Sequence, residues 1–107
     1  MENLVRSYFA DEPILIEIAR CESEWRQFDP VTGDPLRGKA NSADVGLFQI
    51  NEKYHKARAS QGNYNIYDPM GNMAYALKLY KEKGTKPWNA SAGCWNRTNP
   101  DSVVAVK

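Results

Sequence analysis

Hydrophobic residues recur at helical spacing from the start of the chain. A short amphipathic helix is predicted before the break at Pro13, with one apolar face made by Leu4, Val5, Tyr8 and Phe9. A second helix is predicted from Pro13 to about Trp25, because "PILIEIARCESEW" contains no glycine and no second proline, and proline is favoured at the first helical position. The chain is therefore expected to begin with two helices.

Two later stretches also have helical patterns. "GLFQINEKYHKARASQG" ends at Gly62, and Asn51 is a suitable N-cap for the part that starts at Glu52. "YDPMGNMAYALKLYKEKG" is the clearest helix, because Asp68 caps it, a proline follows and Gly84 stops it. Its predicted apolar face comprises Met70, Met73, Ala74, Leu77 and Tyr80.

The stretch between the second and third predicted helices is rich in turn residues. "RQFDPVTGDPLRGKANSADVG" is dense in Gly, Pro, Asp and Asn, which excludes a long helix and allows one small hairpin that turns at "TGDP". No other β-structure is expected. The pattern predicts a mainly α fold, with a single domain over residues 1–107.

Composition narrows the classes of function. The chain has 107 residues, of which 42% are hydrophobic, and this suits one compact domain. Its formal net charge of +1 provides no strong basic field, so nucleic-acid binding is not expected. No apolar run approaches about 18 residues, and residues 1–12 lack a basic start and an apolar centre, so we expect neither a membrane span nor a signal peptide in this chain.

The chain has two cysteines, Cys21 and Cys94, and one histidine, His55. These residues and their spacing provide no adequate ligand set for zinc, so we predict no metal and no cofactor. A Cys21–Cys94 disulfide would contribute about 4 kcal/mol of stability on chain-entropy grounds, since 94 − 21 = 73 positions separate the cysteines. Two buried free thiols are the alternative, and only an oxidising compartment favours the bridge.

The second predicted helix carries a glutamate in its apolar stripe. At about 100° per residue, the apolar residues Leu15, Ile18 and Trp25 all lie within about 60° of Glu22. Glu24 lies away from this stripe, where it is expected to form an exposed ion pair with Arg20. Burial raises the pKa of a carboxyl, so Glu22 is a candidate general acid. The alternative is a structural glutamate that pairs with a lysine or an arginine.

Several other features favour carbohydrate chemistry. A polar loop, the compact segment "DVGLFQIN" and two tryptophans accompany the candidate acid. Cleavage of a glycosidic bond needs an acid and a means of stabilising an oxocarbenium-like centre, and sugar rings pack well on indoles. The chain has neither a Gly-x-x-x-x-Gly-Lys-Ser/Thr motif for phosphates nor a Gly-x-Ser-x-Gly nucleophile elbow.

The sequence resembles the catalytic domain of soluble lytic transglycosylases in the lysozyme-like superfamily. The resemblance covers residues 13–95 and rests on "IARCESEW", "NSADVGLFQIN", "YDPMGNMAYALKLY" and "PWNASAGCW" in this order. It implies a lysozyme-like fold, mainly helical with at most a small β-hairpin, a core at residues 13–95 and a substrate cleft. In this family the glutamate of a Glu-Ser pair is the sole catalytic acid and base, and the match here is Glu22 with Ser23.

The resemblance also implies a set of substrate-binding residues, namely Ser23, Gly46, Phe48, Gln49, Asn51, Trp88 and Asn89. The family's Gly-Leu-Met-Gln-Ile motif corresponds to residues 46–50. Gln49 and Asn51 would hydrogen-bond the glycan, and Asn51 is equally suited to capping. The family's Ala-Tyr-Asn-Ala-Gly segment appears here as "PWNAS", so the tyrosine expected near the catalytic glutamate is absent. Trp88 is either a sugar platform or a core residue.

The sequence leaves three hypotheses for the function, namely two catalytic mechanisms and one non-catalytic role. The resemblance implies a peptidoglycan lytic transglycosylase that cleaves the β-1,4 bond between N-acetylmuramic acid and N-acetylglucosamine and leaves a 1,6-anhydromuramyl product. Asp44 also resembles the second carboxylate of c-type lysozymes, which would give a hydrolytic muramidase with Glu22 and Asp44 as its pair, although a turn role is the alternative for Asp44. The third hypothesis is a binding module without turnover. The expected partner is peptidoglycan, which a monomer would meet outside the cytoplasm, in the periplasm, in the cell wall or after secretion.

Overall fold

The structure, a computed structural model, describes residues 1–98. Its elements in chain order are α1 (Glu2–Tyr8), α2 (Pro13–Ser23), β1 (Asp44–Val45), β2 (Ile50–Asn51), α3 (Glu52–Gln61), α4 (Pro69–Lys83), a 3-10 helix (Lys86–Ser91) and α5 (Ala92–Thr98). The predicted fold class, mainly helical with one small hairpin, is confirmed. Within the described part, no helix combines the length and hydrophobicity that a membrane span requires.

The starts and ends of the later helices follow their sequence signals. Asn51 caps α3, because its side-chain oxygen accepts from two backbone N–H groups of the first turn. Asp68 caps α4 in the same way, with Pro69 at the first helical position. These caps satisfy N–H groups that have no partner within the helix. Gly62 and Gly84 follow the last helical residues, as predicted.

Helix α2 ends at Ser23, two residues before the predicted end at Trp25. Glu24 and Trp25 both adopt left-handed backbone conformations, with φ values of 55° and 59°. Such residues turn the chain out of the helical path. The Trp25 indole instead folds back along α2 and donates a hydrogen bond of 3.0 Å to the carbonyl oxygen of Ile16.

This early end also changes the ion pairs on the surface of α2. Arg20 pairs with Glu17 at 3.1 Å, and Glu24 pairs with Arg26 at 3.1 Å. The predicted pair between Arg20 and Glu24 is therefore wrong, because the left-handed turn moves Glu24 off the helical face that Arg20 shares. The predicted exposure of Glu24 is confirmed, since 78% of its side chain is accessible.

The β-structure lies later in the chain than predicted. Strands β1 and β2 flank the turn of residues 46–49, whereas the "TGDP" region forms a turn with one isolated bridge between Phe28 and Pro35. Backbone hydrogen bonds from the Asp29 N–H to the Asp34 carbonyl oxygen at 2.7 Å and from the Leu36 N–H to the Gln27 carbonyl oxygen at 2.8 Å close this turn. The predicted turn at "TGDP" is therefore present with a single bridge, and the two-stranded sheet forms around "DVGLFQIN", which the prediction did not include.

Helix α4 turns a different face to the core than its apolar pattern predicts. Its buried residues are Asn72, Met73, Tyr75, Ala76 and Leu79. Met70, which we predicted on the buried face, is 50% exposed, and Ala74, Leu77 and Tyr80 are only partly buried. The side chain of Asn72 binds three backbone groups inside the core, so a polar residue sets the rotation of this helix.

A disulfide joins Cys21 to Cys94, with 6.0 Å between the two Cα atoms. The structure thus contains the bridge and not the alternative of two free thiols. The bond links the last turn of α2 to α5, and these two helices pack against each other. Trp88 and Trp95 are both buried in the core that this packing closes. The C-terminal segment is therefore held against the helix that carries the candidate acid.

Candidate functional site

Glu22 lies on the last turn of α2, where it is partly buried. The hydroxyl of Ser91 donates a hydrogen bond of 2.6 Å to its Oε2 atom. Burial raises the pKa of Glu22 above the ordinary value, the Ser91 bond lowers it, and the charge of Asp44 raises it. Since burial is the largest of these effects, the carboxyl keeps its proton to a higher pH than an exposed glutamate does.

Two pockets meet at Glu22. The first, which we call the Asp44 pocket, has a volume of about 160 Å³, and its lining includes Asp44, Gln49, Asn51, His55 and Trp88. The second, which we call the Arg26 pocket, has a volume of about 310 Å³, and its lining includes Arg26, Arg37, Lys39 and Gln49. Because Glu22 and Gln49 line both pockets, a ligand that occupies both must pass these two side chains.

Asp44, Gln49 and Asn51 come together around the small sheet. Asp44 and Asn51 are opposite each other on β1 and β2, and the Asn51 amide donates a 3.1 Å hydrogen bond to the Asp44 carboxylate. Gln49 has a left-handed φ of 50° and donates from Nε2 to the carbonyl oxygen of Gly46 at 2.9 Å. One Nε2 hydrogen and the Oε1 atom of Gln49 have no partner within residues 1–98, so they can bind a ligand.

Three of the predicted substrate-binding residues, Ser23, Gly46 and Phe48, are buried beside the site. Phe48 is fully buried and packs edge-on against Trp88. Ser23 is 4% exposed at the Arg26 pocket, and its hydroxyl lies 2.8 Å from the carbonyl oxygen of Leu47. Gly46 and Phe48 line neither pocket. The structure thus places these residues where they shape the backbone of the site.

Trp88 belongs to the core and to the wall of the Asp44 pocket. It is 3% exposed, and its indole Nε1–H donates to the carbonyl oxygen of Phe48 at 3.0 Å. Asn89 is exposed on the 3-10 helix and lines neither of the two pockets. Sugar binding by Trp88 and Asn89 stays a prediction.

Two buried amide side chains hold the turn of residues 46–49. Gln27 accepts from the backbone N–H of Leu47 at 3.0 Å, and Asn72 accepts from that of Phe48 at 2.9 Å. Both amides donate to the carbonyl oxygen of Ile66, at 3.1 and 2.8 Å. Buried amides with satisfied hydrogen bonds fix a backbone path tightly. They therefore determine where Gln49 lies relative to the acid.

The comparisons with known proteins give one match. The family model described as Transglycosylase SLT domain matches residues 4–96. The chain belongs to this family. No curated protein and no solved structure matches the chain. The resemblance to lytic transglycosylases of the lysozyme-like superfamily is confirmed, and membership supports a peptidoglycan-related function of the lytic transglycosylase type outside the cytoplasm.

Ser91 contacts Glu22 in this SLT domain but is not among the site residues that the sequence predicts. It ends the segment "PWNAS", in which the tyrosine expected near the catalytic glutamate is absent. Its hydroxyl reaches Glu22 across 69 positions of sequence. The departure of "PWNAS" from the family pattern marks this segment as unusual, but it does not show whether Trp88 or Ser91 contacts Glu22.

His55 is a second residue that the sequence analysis did not place in the site. It lines the Asp44 pocket, and its Nδ1 atom lies 2.8 Å from the hydroxyl of the buried Tyr75. Burial lowers the pKa of His55, and the charges of Arg58 and Lys83 lower it further. These effects favour the neutral form of the imidazole. Helical periodicity assigns His55 to α3 but does not show which element it faces.

The site of this SLT domain can hold and release a proton. It has one partly buried carboxyl with a raised pKa, a second carboxylate in the same pocket, and amide groups that can bind neutral polar ligands. This combination suits acid–base chemistry at an oxygen atom. Residues 1–98 contain no cluster of three or more His, Cys, Asp or Glu side chains that could hold a metal ion.

Proposed function

We propose that this SLT domain is a peptidoglycan lytic transglycosylase and that Glu22 is its catalytic acid and base. The observation that carries the proposal is the Glu22 carboxyl, which is partly buried, has a raised pKa and lines both adjoining pockets. A general acid must hold a proton near the working pH, and burial has this effect on a carboxyl. Family membership supplies the class of substrate.

In the proposed reaction, Glu22 protonates the glycosidic oxygen between N-acetylmuramic acid and N-acetylglucosamine. The bond from this oxygen to the anomeric carbon breaks, and the N-acetylglucosamine leaves with the proton on its 4-hydroxyl. The muramyl acetamido oxygen stabilises the positive centre, as substrate-assisted glycosidases allow. The muramyl 6-hydroxyl then attacks the anomeric carbon, and its proton returns to Glu22 as the 1,6-anhydro ring closes. The reaction consumes no water and needs one protein carboxyl.

The two pockets suit a glycan strand that passes Glu22. Gln49 stands between them with amide groups available for the acetamido and hydroxyl groups of sugars. Three cations line the Arg26 pocket, of which Arg26 pairs with Glu24 at 3.1 Å and Arg37 pairs with Glu52 at 2.8 Å. Lys39 has no ion pair within residues 1–98, so it suits the carboxylates carried by the lactyl and peptide substituents of peptidoglycan. These contacts are part of the proposal, together with packing of a sugar face against the wall of the Asp44 pocket.

One observation favours a hydrolytic muramidase as the second candidate. Asp44 lines the same pocket as Glu22, and its charge contributes to the raised pKa of Glu22. A second carboxylate can stabilise the oxocarbenium centre from about 5 Å, or activate a water when the two carboxyls are about 6.5–9.5 Å apart. The Asn51 amide orients the Asp44 carboxylate for such a role. Hydrolysis would leave a reducing muramyl end.

Mass spectrometry of the products from purified peptidoglycan tests the proposal. Glu22→Gln keeps the shape of the side chain and removes its exchangeable proton. Glu2→Gln is the matched control, because Glu2 is exposed on α1 and lines neither pocket. We expect 1,6-anhydromuramyl ends from the unchanged protein and from Glu2→Gln, and a rate about 10²- to 10⁴-fold lower for Glu22→Gln.

Asp44→Asn separates the two mechanisms. Anhydromuramyl ends that persist in this variant support the transglycosylase. Reducing muramyl ends that disappear with Asp44→Asn would support the muramidase. Saturable binding to peptidoglycan without products from any protein would refute both enzymes and identify a binding module.

A further inference from the structure

Ser91 connects Glu22 to the two buried tryptophans of the C-terminal segment. Its Oγ atom lies 2.6 Å from Oε2 of Glu22 and 3.1 Å from the carbonyl oxygen of Trp88. The indole Nε1–H of Trp95 donates to the same Oγ atom over 3.0 Å. Three polar groups therefore meet at one hydroxyl.

The chemistry of these groups sets the direction of the bonds. A serine hydroxyl has one hydrogen and can also accept, whereas an indole N–H only donates and a carbonyl oxygen only accepts. Trp95 thus occupies an acceptor position of Ser91, and the one hydroxyl hydrogen goes either to Glu22 or to the Trp88 carbonyl. Because a hydrogen bond to an ionised carboxylate is about twice as strong as a neutral one, Glu22 receives it when ionised.

The two oxygens of the Glu22 carboxyl consequently differ. Oε2 accepts the Ser91 bond, while no hydrogen bond joins Oε1 to any group within residues 1–98. A proton that binds the carboxyl favours the oxygen whose lone pairs are not already accepting. While Ser91 donates to Oε2, Oε1 is the oxygen left to carry the proton, on a side chain that lines both pockets.

We propose that Ser91 is a positioning residue that orients the Glu22 carboxyl and keeps its exchangeable proton on Oε1, where a substrate oxygen can take it. This inference rests on the proposed function, because it takes Glu22 to be the proton donor. Ser91 acts through Glu22 and does not need to touch the substrate.

The fold holds both partners of this bond in place. Glu22 directly follows Cys21, and Ser91 comes three residues before Cys94, so the disulfide ties together the segments that carry them. Trp88 anchors the 3-10 helix to the rest of the core through its Nε1–H bond to a backbone carbonyl. A hydroxyl on this framework stays beside the carboxyl while the proton leaves and returns.

Removal of the hydroxyl tests the proposal. Ser91→Ala deletes the bond with a small change in volume, and Ser91→Thr keeps a hydroxyl at the same position. Ser60→Ala is the control, because Ser60 is exposed on α3 and away from both pockets. We expect Ser91→Ala to lower kcat on peptidoglycan by about 10- to 100-fold, with Ser91→Thr and Ser60→Ala close to the unchanged protein.

The pH titration of Glu22 distinguishes a positioning role of Ser91 from a loss of packing in the Ser91→Ala variant. The Ser91 bond lowers the pKa of Glu22, so its removal moves the ¹³C carboxyl titration of Glu22, and the alkaline limb of kcat, to higher pH. The other ionisable groups that line the two pockets are Asp44, His55, Glu24, Arg26, Arg37 and Lys39. They are the same in all the variants, so they do not produce the difference.

The outcomes distinguish this inference from the proposed function. A Ser91→Ala protein with an unchanged kcat and an unchanged Glu22 titration would overturn the inference, even if Glu22→Gln is inactive. A fall in kcat that matches a loss of folded protein, with no change in the titration, would overturn it too. Ser91→Gly provides a second deletion of the hydroxyl if Ser91→Ala does not fold. Activity that survives in Glu22→Gln would instead refute the proposal that Glu22 is the catalytic acid and base.

Discussion

At the residue scale, the burial of Glu22 opposes folding at neutral pH. The folded state raises the pKa of this carboxyl, so it binds the proton more tightly than the unfolded chain does. Protonated Glu22 therefore contributes stability that is fully present at pH values below its pKa in the unfolded chain. This contribution is lost as the pH rises through its pKa in the folded protein. We therefore predict that Glu22→Gln, which cannot ionise, raises Tm by a few degrees at pH 7 and leaves it unchanged at pH values below the unfolded pKa.

Thermal unfolding across this pH range checks the prediction. Ser60→Ala serves as the control, since Ser60 is exposed on α3 and neither side chain ionises, so its Tm difference should not vary with pH. A Glu22→Gln protein that is less stable than the unchanged protein at pH 7 would contradict the prediction, because it would mean that ionised Glu22 contributes to the fold.

Single residues also show how far the sequence predicts the site. Periodicity along α2 correctly predicts that Glu22 is partly buried and Glu24 exposed, because both are properties of one helix. The Ser91 contact is not predictable in this way, since it depends on how the 3-10 helix packs against α2. Phe48 illustrates the same limit, because its motif suggests a cleft residue and its packing makes it a core residue.

At the scale of elements, the turn between β1 and β2 depends on one glycine. Gly46 has a φ of +74°, and a Cβ atom there would lie 2.5 Å from Oε1 of Gln27 and 2.7 Å from Nδ2 of Asn72. Gly33 has a similar φ of +78° with nothing within 4 Å. We predict that Gly46→Ala costs about 3 kcal/mol, from backbone strain and overpacking together. Gly33→Ala should cost about 1 kcal/mol, from strain alone.

Urea unfolding of the two alanine variants measures this difference directly. Because Gly33 has a similar positive φ and lacks the close contacts, the gap between the variants isolates the effect of the buried amides. Equal losses of stability would show that these amides yield to a methyl group and do not hold the turn rigidly.

The elements that were misplaced from the sequence share a physical cause. The apolar pattern of α4 predicts a buried face that includes Met70. The hydrogen bonds of the buried Asn72 side chain instead turn toward the core a face that contains fewer of the predicted apolar residues. The sheet forms at residues 44–51, where those bonds hold the turn, whereas the turn at "TGDP" is closed by a single antiparallel bridge. Polar groups inside the core decide these features, and hydrophobic periodicity does not detect them.

At the scale of the whole molecule, the site joins segments that are far apart in sequence. Glu22 comes from α2, Asp44 and Asn51 from the sheet, and Ser91 from the 3-10 helix. The order of the short motifs is sufficient to identify the family, as the match to residues 4–96 confirms. The motifs do not provide the distances among these side chains, because those depend on how α2, the sheet and the 3-10 helix pack together.

The disulfide should therefore affect stability and the site together. We predict that Cys21→Ala combined with Cys94→Ala lowers the free energy of unfolding by about 4 kcal/mol, because the bond restricts a 73-residue separation in the unfolded chain. Urea unfolding at pH 7 measures this loss. The oxidised protein treated with dithiothreitol should match the double variant, and dithiothreitol should not change the double variant itself.

The Glu22 carboxyl should also titrate at a higher pH in the folded double variant, since the tie between the segments that carry Glu22 and Ser91 is gone. A stability loss below about 1 kcal/mol would contradict the chain-entropy argument, and an unchanged Glu22 titration would show that packing alone aligns the two segments.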